Sequence, residues 1–560
     1  PRTALVCLMI AVLGVFLLTA VRHRISLIEQ VPLDRPILTL EDKAGEMIRG
    51  FGYEEEPADI YTTLAQDTDA TAYIVREDES PERWSVLSEP GQAALYYFHR
   101  QGERKLVKLS AVGGISASRP SPRAGDITLW TDLTGRLRYF VAHAAGFEFE
   151  PDPASAPDEA WAELFSAAGL DIATFEPTEP TLQPMVFADS RAAWSGVIPF
   201  RNDLPVRVEA AALRGKPVFF NLLTPEDNRW EPVDEAAVVP STALVTTTST
   251  IILILLLGAA GFTVFLALRN RRMGRGDGRG ALRLAVALAI LYMLYWALTG
   301  HHVAAVGGEL IMIYIALGTS LSLGLLIWVL YMALEPYGRK FWPEAMVGWT
   351  RMLAGRFRDP LVARDLLFGF TFSIGLLTLQ HLNHIVPETL GLAAPAPQPY
   401  GLGSILGTRI ALGSLILGPL NSVAGPQTHF TLLRVARLIL RKQWLANIAF
   451  VLLVIVASMT QVLATSGGKV EPVQLLVGAT LGGATGILIV ILLTRFGLLA
   501  AAGNIFFANL LAAYPLTFDP SRPYFSTGLA GIGLALLFAF LVFRGALAGR
   551  SFHAGAFLDG

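Results

Sequence analysis

A single cysteine, Cys7, stands in 560 residues, so the chain can form no internal disulfide and can build no cysteine-ligated metal cluster. Charge is scarce too: 16% of residues are charged, against 53% hydrophobic. That balance excludes an ordinary soluble protein and indicates a polytopic membrane protein. Catalytic signatures are missing as well. There is no HRD and no DFG, the motifs that supply the base and the metal ligand in a protein kinase. The glycine-rich cluster Gly274, Gly276, Gly278 and Gly280 follows an apolar run rather than a strand and alternates with Arg275, Asp277 and Arg279. It reads as a flexible basic loop. The paired glutamates or aspartates of intramembrane proteases are also lacking. No cofactor and no nucleic-acid partner is expected.

What the chain has instead is apolar runs of spanning length. The first covers 4–21, with Cys7 inside it as a small packing residue. The others fall at about 244–268, 281–300, 309–333, 366–386, 403–424, 446–465, 473–498, 499–516 and 526–543. The least regular are 403–424, which holds Arg409 and several glycines, and 499–516, interrupted by Asn504 and Asn509. The expected fold is a polytopic α-helical membrane protein of about ten spans, with an α+β extracytoplasmic domain inserted between the first and second helices. Its divisions are 1–21 for the first helix, 22–243 for the domain and 244–560 for a bundle of about nine helices.

Charge is split between these parts. Residues 22–243 carry 36 acidic and 21 basic side chains, a balance of −15, which leaves +13 for the rest. Arg269, Arg271, Arg272, Arg275 and Arg279 follow the second run, Arg339 to Arg364 the fourth, and Arg434, Arg437, Arg441 and Lys442 the sixth. With ten spans all three loops share one face, which the positive-inside rule assigns to the cytoplasm. Arg22 and Arg24 fall on the opposite face and break the rule locally. Both termini are expected in the cytoplasm and 22–243 outside it, in a bacterial inner membrane.

Within the insert, pairs of strand-like runs flank turn dipeptides: 95–99 and 105–109 around Gln101-Gly102, 127–131 and 137–142 around Thr134-Gly135, and 206–212 and 217–223 around Arg214-Gly215. Helical stretches at 41–50 and 160–169 each precede one strand-rich block, which suggests two tandem modules. Acidic, proline-rich stretches at 150–159 and 176–184 would separate them. Glu54–Glu56 reads as a solvated acidic loop.

The loop at 334–365, LEPYGRKFWPEAMVGWTRMLAGRFRDPLVARD, interleaves Trp342, Trp349 and Phe357 with Arg351, Arg356 and Arg358 and is expected to lie along the membrane surface. A second basic amphipathic segment, 428–444, sets Leu432, Leu433, Ala436, Leu440 and Trp444 opposite Arg434, Arg437, Arg441 and Lys442. Arg351, Arg356, Arg358, Arg434, Arg437 and Arg441 are therefore the candidates to face anionic lipid or a partner. Four histidines, His301, His302, His381 and His384, fall near one membrane surface. They are weak metal candidates, because few carboxylates accompany them, and interfacial polar residues are the blander reading.

The pattern LEPYxRxxWPxxxxxWxRxLxGRxRDPLVxRDxLxG resembles the membrane module that lies C-terminal to the catalytic domain in a group of bacterial receptor-type serine/threonine protein kinases. RNRRMGRGDGRGALRLA at 269–285, HHVAAVGGEL at 301–310, FFANLLAAYPLTFDPSRPYFSTG at 506–528 and LAGRSF at 547–552 resemble the same module. The likeness covers the last 320 residues or so well and the preceding 220 loosely. It implies a kinase domain before Pro1, with this chain as the sensory and membrane-anchoring portion. Its partners would be anionic lipid, a cytoplasmic kinase domain and other membrane proteins. An accessory subunit of a larger membrane assembly and a transporter are the alternatives.

Overall fold

The structure is a computed structural model, describing residues 2–89, 91, 94–107, 115, 121–143, 157–199, 204–225, 242–465 and 470–547. Helix α1 (Arg2–Val21) leads through a 3-10 turn into a short α2 (Leu27–Gln30) and then into the insert. The insert runs α3 (Ile37–Gly50), β1 (Asp59–Gln66), α4 (Thr68–Glu77), β2 (Leu95–Gly102), β3 (Asp126–Thr131), β4 (Leu137–Ala142), α5 (Pro157–Ala167), β5 (Glu176–Thr178), β6 (Ser190–Ile198), β7 (Leu204–Leu213) and β8 (Lys216–Leu223).

All eight strands form one antiparallel sheet in the order β1-β2-β3-β4-β8-β7-β6-β5. Each half is a helix followed by a four-stranded meander, and the halves meet where β4 pairs with β8, Phe140 opposite Phe220. Both phenylalanines are fully buried, and α3 and α5 cover the same sheet face in one apolar core. Fully burying each of these rings contributes roughly 1.5–3 kcal/mol. The Arg214-Gly215 turn has positive φ at both positions, 52° and 80°, as a two-residue hairpin with the twist of its strands requires.

Two expectations for this region are corrected. Lys105 to Val107 form no strand, and residues 108 and 109 lie outside the described residues. Besides β3, the partner of β2 is β1, in register from Asp59 opposite Gly102 to Gln66 opposite Leu95. The stretch 176–184 is not a separator, because Glu176–Thr178 is the edge strand β5, paired with β6. The other proposed separator, 150–159, lies outside the described residues up to 156.

The remaining helices are α6 (Thr242–Arg272), α7 (Gly278–Thr299), α8 (Val306–Phe341), α9 (Pro343–Leu353), α10 (Pro360–Thr389), α11 (Thr408–Leu440), α12 (Gln443–Thr465), α13 (Pro472–Ile491), α14 (Leu498–Ala513) and α15 (Phe525–Ala546). Every apolar run read from the sequence lies largely within one of ten helices, α1, α6, α7, α8 and α10 to α15. Among the described residues, seven helices are long and apolar enough to cross a membrane: α1, α7, α8, α10, α12, α13 and α15. Helix α14, at 16 residues, spans only about 24 Å at 1.5 Å per residue. It is nevertheless the centre of the bundle, packed between α10 and α11, with residues 498–504 all buried.

Alternating helix directions place α1's C-terminus and the starts of α8, α11, α13 and α15 beside the sheet domain. The helical ends at Arg2 and Ala546 lie at the opposite, far end. Far-end contacts tie α6 to α8, where the Asn270 amide donates to the carbonyls of Met332 and Ala333 at 3.0 and 3.2 Å. Trp349, expected at the membrane interface, is buried at 1% exposure, because α9 turns its Ala345, Met346, Gly348 and Trp349 face inward.

Close backbone approach fixes α10 on α14. A Cβ at Gly369 would run into the Ala500 carbonyl and the Asn504 amide, whereas one at Gly375 would meet only Leu488 Cδ1 at 3.9 Å. Gly369→Ala should therefore cost about 1–3 kcal/mol. Gly375→Ala should be neutral or stabilise by up to ~1 kcal/mol through helix propensity. Thermal unfolding of both variants in detergent micelles reads the difference.

Candidate functional site at the domain–bundle junction

The sheet domain's core does not close on itself. Leu27, Ile28, Val31, Trp84 and Leu87 share one apolar cluster with Tyr524 and with Ala394, Ala396, Leu402, Ile405 and Leu406 of the α10–α11 loop. No sequence pattern marked that loop as part of a core. It pairs with the exit of α1: the Leu27 amide donates to Gln398 O at 2.9 Å and the Gln398 amide to Ile25 O at 2.7 Å. From the other side the Trp84 indole donates to Ala394 O at 2.9 Å, and the Arg83 guanidinium reaches the same carbonyl.

Arg22 sits at the centre of this junction. It is buried at 2% exposure, its guanidinium 3.8 Å from the centroid of the Tyr400 ring. It donates to Leu511 O at 3.1 Å and Tyr514 O at 3.4 Å, carbonyls at the C-terminal end of α14 where the helix dipole favours a cation. The sequence carried one signal of this role: Arg22 violated the charge rule. Arg522 donates to Glu29 O at 3.0 Å, and the Tyr524 hydroxyl to Ile28 O at 3.2 Å. None of Glu29, Gln398, Tyr400, Arg522 and Tyr524 was legible as a site residue, because their partners lie hundreds of positions away.

Below Trp84 lies a cavity of about 530 Å³, lined among others by Arg24, Glu29, Glu82, His384, Glu388 and Arg522. Burial raises the Glu29 carboxyl above the usual carboxylate range, opposed by Arg522 and by hydrogen bonds from Tyr524 and Thr517. A second cavity of about 520 Å³ lies on the sheet domain itself, with Tyr53, Glu54, Glu55, Glu56, His143 and Lys216 in its wall.

The four candidate histidines do not converge. His301 Nε2 lies 3.0 Å from Asp59 Oδ2 of β1, with the Tyr61 ring edge-on at 5.4 Å. Burial alone would raise Asp59, but the His301 contact and the Leu106 amide hold it below the usual carboxylate range. His302 bonds Glu309 Oε1 at 2.7 Å and Ala297 O at 3.0 Å. His384 is buried within reach of Gln380 O and Ala396 O, at 3.2 and 3.3 Å, and His381 is buried beside Tyr400. Among the described residues no group of three or more His, Cys, Asp or Glu side chains is placed to hold a metal ion.

At the far end the six candidate arginines divide. Arg356 and Arg358 are exposed beyond the end of α9, beside Phe357 at 70% exposure. Arg351 is held by Asp359 at 2.8 Å, and Gly355 takes φ +80°. Positions 351, 355 and 358 therefore share no helical face. The segment 428–444 is no separate surface helix either. It continues α11 through Pro419 and Pro426 as far as Leu440, where Arg441 turns left-handed at φ 60°. Arg434 is buried at 7% exposure, 3.4 Å from the Phe430 ring centroid and 5.2 Å from that of Trp342. Arg437 also lies 5.2 Å from the Trp342 ring and donates to Gln443 Oε1.

No protein-family model, no curated protein and no solved structure matches the chain.

Two outcomes are expected at the junction. Arg22→Ala loses two charge-assisted hydrogen bonds and a stacked cation, about 2–4 kcal/mol, and Arg22→Lys restores little of it because an ammonium cannot stack. Thermal unfolding of the detergent-solubilised chain measures both. Glu29, with its folded-state pKa raised, contributes stability present in acid and lost as pH rises through that raised value. Glu29→Gln should therefore match the parent near roughly pH 4 and exceed it in melting temperature at neutral pH.

Proposed function

We propose that this chain is the non-catalytic sensory and membrane-anchoring portion of a receptor-type signalling protein of a bacterial inner membrane. Residues 22–243 lie outside the cytoplasm, and the far end of the bundle faces a cytoplasmic serine/threonine kinase domain. The observation that carries this reading is the shared core. The domain packs on Tyr524 and the α10–α11 loop, and that loop in turn clamps the exit of α1. A ligand-induced change in the domain therefore has a rigid route to the first helix, which biases the bundle between packings as a population shift. The two cavities of about 520 and 530 Å³ suit small ligands, whose sites run to roughly 300–1,000 Å³.

The sidedness is supported by charge. Arg269, Arg271, Arg272, Arg275, Arg279, Arg356, Arg358 and Lys442 all gather at the end opposite the sheet domain. With Cys7 replaced by alanine, single cysteines at Glu79 and Arg275 should label from opposite sides of sealed vesicles. Labelling from one side overturns the topology.

The relay is tested by hydrogen exchange. Arg83→Ala with Trp84→Ala undocks the loop, and exchange should rise in 392–407 and along α1 to its far end. If the rise stays within the sheet domain, no relay exists. A transport reading draws on Pro419 and Pro426 inside α11 and on the Asn421–Asn509 hydrogen bond of 2.8 Å between α11 and α14. Under that reading Asn421→Leu with Asn509→Leu abolishes flux into proteoliposomes. Under the relay reading it leaves the exchange response to undocking intact.

A further inference from the structure

The sheet domain stands on the bundle at a second place, away from the shared core. There the turn between α7 and α8, residues 300–305, meets β1 and the chain that follows β2. His301 Nε2 lies 3.0 Å from Asp59 Oδ2, and the Leu106 amide donates to the same oxygen at 2.9 Å. Asp59 is held below the usual carboxylate range and so stays ionised. A carboxylate only accepts, so His301 Nε2 carries the shared proton. Val107 packs on the start of α8, where a Cβ at Gly308 would stand 2.8 Å from Val107 Cγ2.

The two footholds differ in kind. Parting at the junction would bring the buried Leu27, Ile28, Trp84 and Leu87 into water, at a full hydrophobic cost. Parting at the α7–α8 turn breaks a polar pair whose side chains are already 12% and 11% exposed, and both partners regain water. An ion pair so close to solvent is a weak tie.

The footholds also rest on different helices. Helix α1 packs on α10 and α15, whereas α8 packs on α6 and α7, and α11 lies between the groups against α7 and α14. Helix α8 runs 36 residues, about 54 Å at 1.5 Å per residue, from the second foothold to the far end. The domain segment that makes this foothold has another face. Pro57, Gly102 and Glu103 wall the cavity of about 520 Å³, and Asp59 pairs with Gly102 across the β1–β2 ladder.

We propose that the His301–Asp59 pair is a releasable latch: the sheet domain pivots on its apolar junction and lets go of the α7–α8 turn, which frees α8 from the domain. The proposal rests on the sensory reading and supplies the contact that differs between the two packings. A ligand that favours either the latched or the open domain then shifts the balance between them.

Distances between spin labels test it, in the Cys7→Ala chain reconstituted in lipid nanodiscs. Labels on Arg104→Cys and Ala304→Cys, both exposed positions, read the latch, and labels on Ser88→Cys and Leu390→Cys read the junction. His301→Ala should raise the ratio of open to latched distances about tenfold, the worth of a charged hydrogen bond, with the junction distance unchanged. His301→Gln, which keeps a donor without the charge, should fall between. A latch distance that His301→Ala leaves unmoved overturns the proposal. So does lengthening at both label pairs, because the domain then detaches as a whole. In a separate Cys7→Ala chain, Val107→Cys with Gly308→Cys should close a disulfide, since the Val107 Cβ and a Cβ at Gly308 would stand 3.9 Å apart. Failure to oxidise overturns the docked foothold. Failure of the relay shows instead as unchanged exchange along α1, so either reading can fail alone.

Discussion

A cation buried where a membrane helix leaves the bundle is the constraint on which the junction depends. Arg22 has left water, and it is tolerated because Tyr400 takes one face of the guanidinium and two α14 carbonyls take its hydrogen bonds. Those partners come from two parts of the chain far from Arg22, the α10–α11 loop and the end of the central helix. Removing any of them leaves a charge without compensation in an apolar setting, the most expensive kind of defect in a protein interior. The junction is therefore specified by electrostatic necessity as much as by packing.

The rest of the architecture follows from α14. A helix too short to match the bilayer core is packed between α10 and α11, with its first seven residues buried. Its small residues Ala500, Ala501, Ala502 and Gly503 let neighbouring backbones approach closely, the common device for packing helices where no hydrophobic force separates protein from lipid. At its start Gly497 has φ +91° and stands against Ala345, which locks α9 inward and buries Trp349.

Local pattern located much of the local structure, though not the strand expected at 105–109 or the edge strand at 176–178. Apolar length located the ten long helices, and turn chemistry located the hairpins at Thr134-Gly135 and Arg214-Gly215, because both signals reside in consecutive residues. What was not legible depended on distant partners. β1 lacks a strong alternating pattern and is a strand because β2 pairs with it. The stretch 428–444 has the look of a surface helix, yet its arginines turn toward Trp342, a residue whose position depends on how α8 ends. The 390–400 loop is rich in alanine and proline, the composition of a linker, and only the domain resting on it makes it part of a core. Tyr524 and Glu29 lie at opposite ends of the sequence, and neither carries any mark of the other.

The palindromic strand order has a consequence for assembly. Taken alone, one helix-plus-meander unit would present β4, or its counterpart β8, as a bare edge beside a half-covered core. Such an edge recruits any strand of matching pattern, and the nearest match for either unit is the other. Joining the two units in one chain makes that encounter intramolecular, at an effective concentration no free partner can rival. The seam at Phe140 and Phe220 thus pairs those two edges with each other, and among the described strands the short, proline-bearing β5 and the outer β1 remain at the edges.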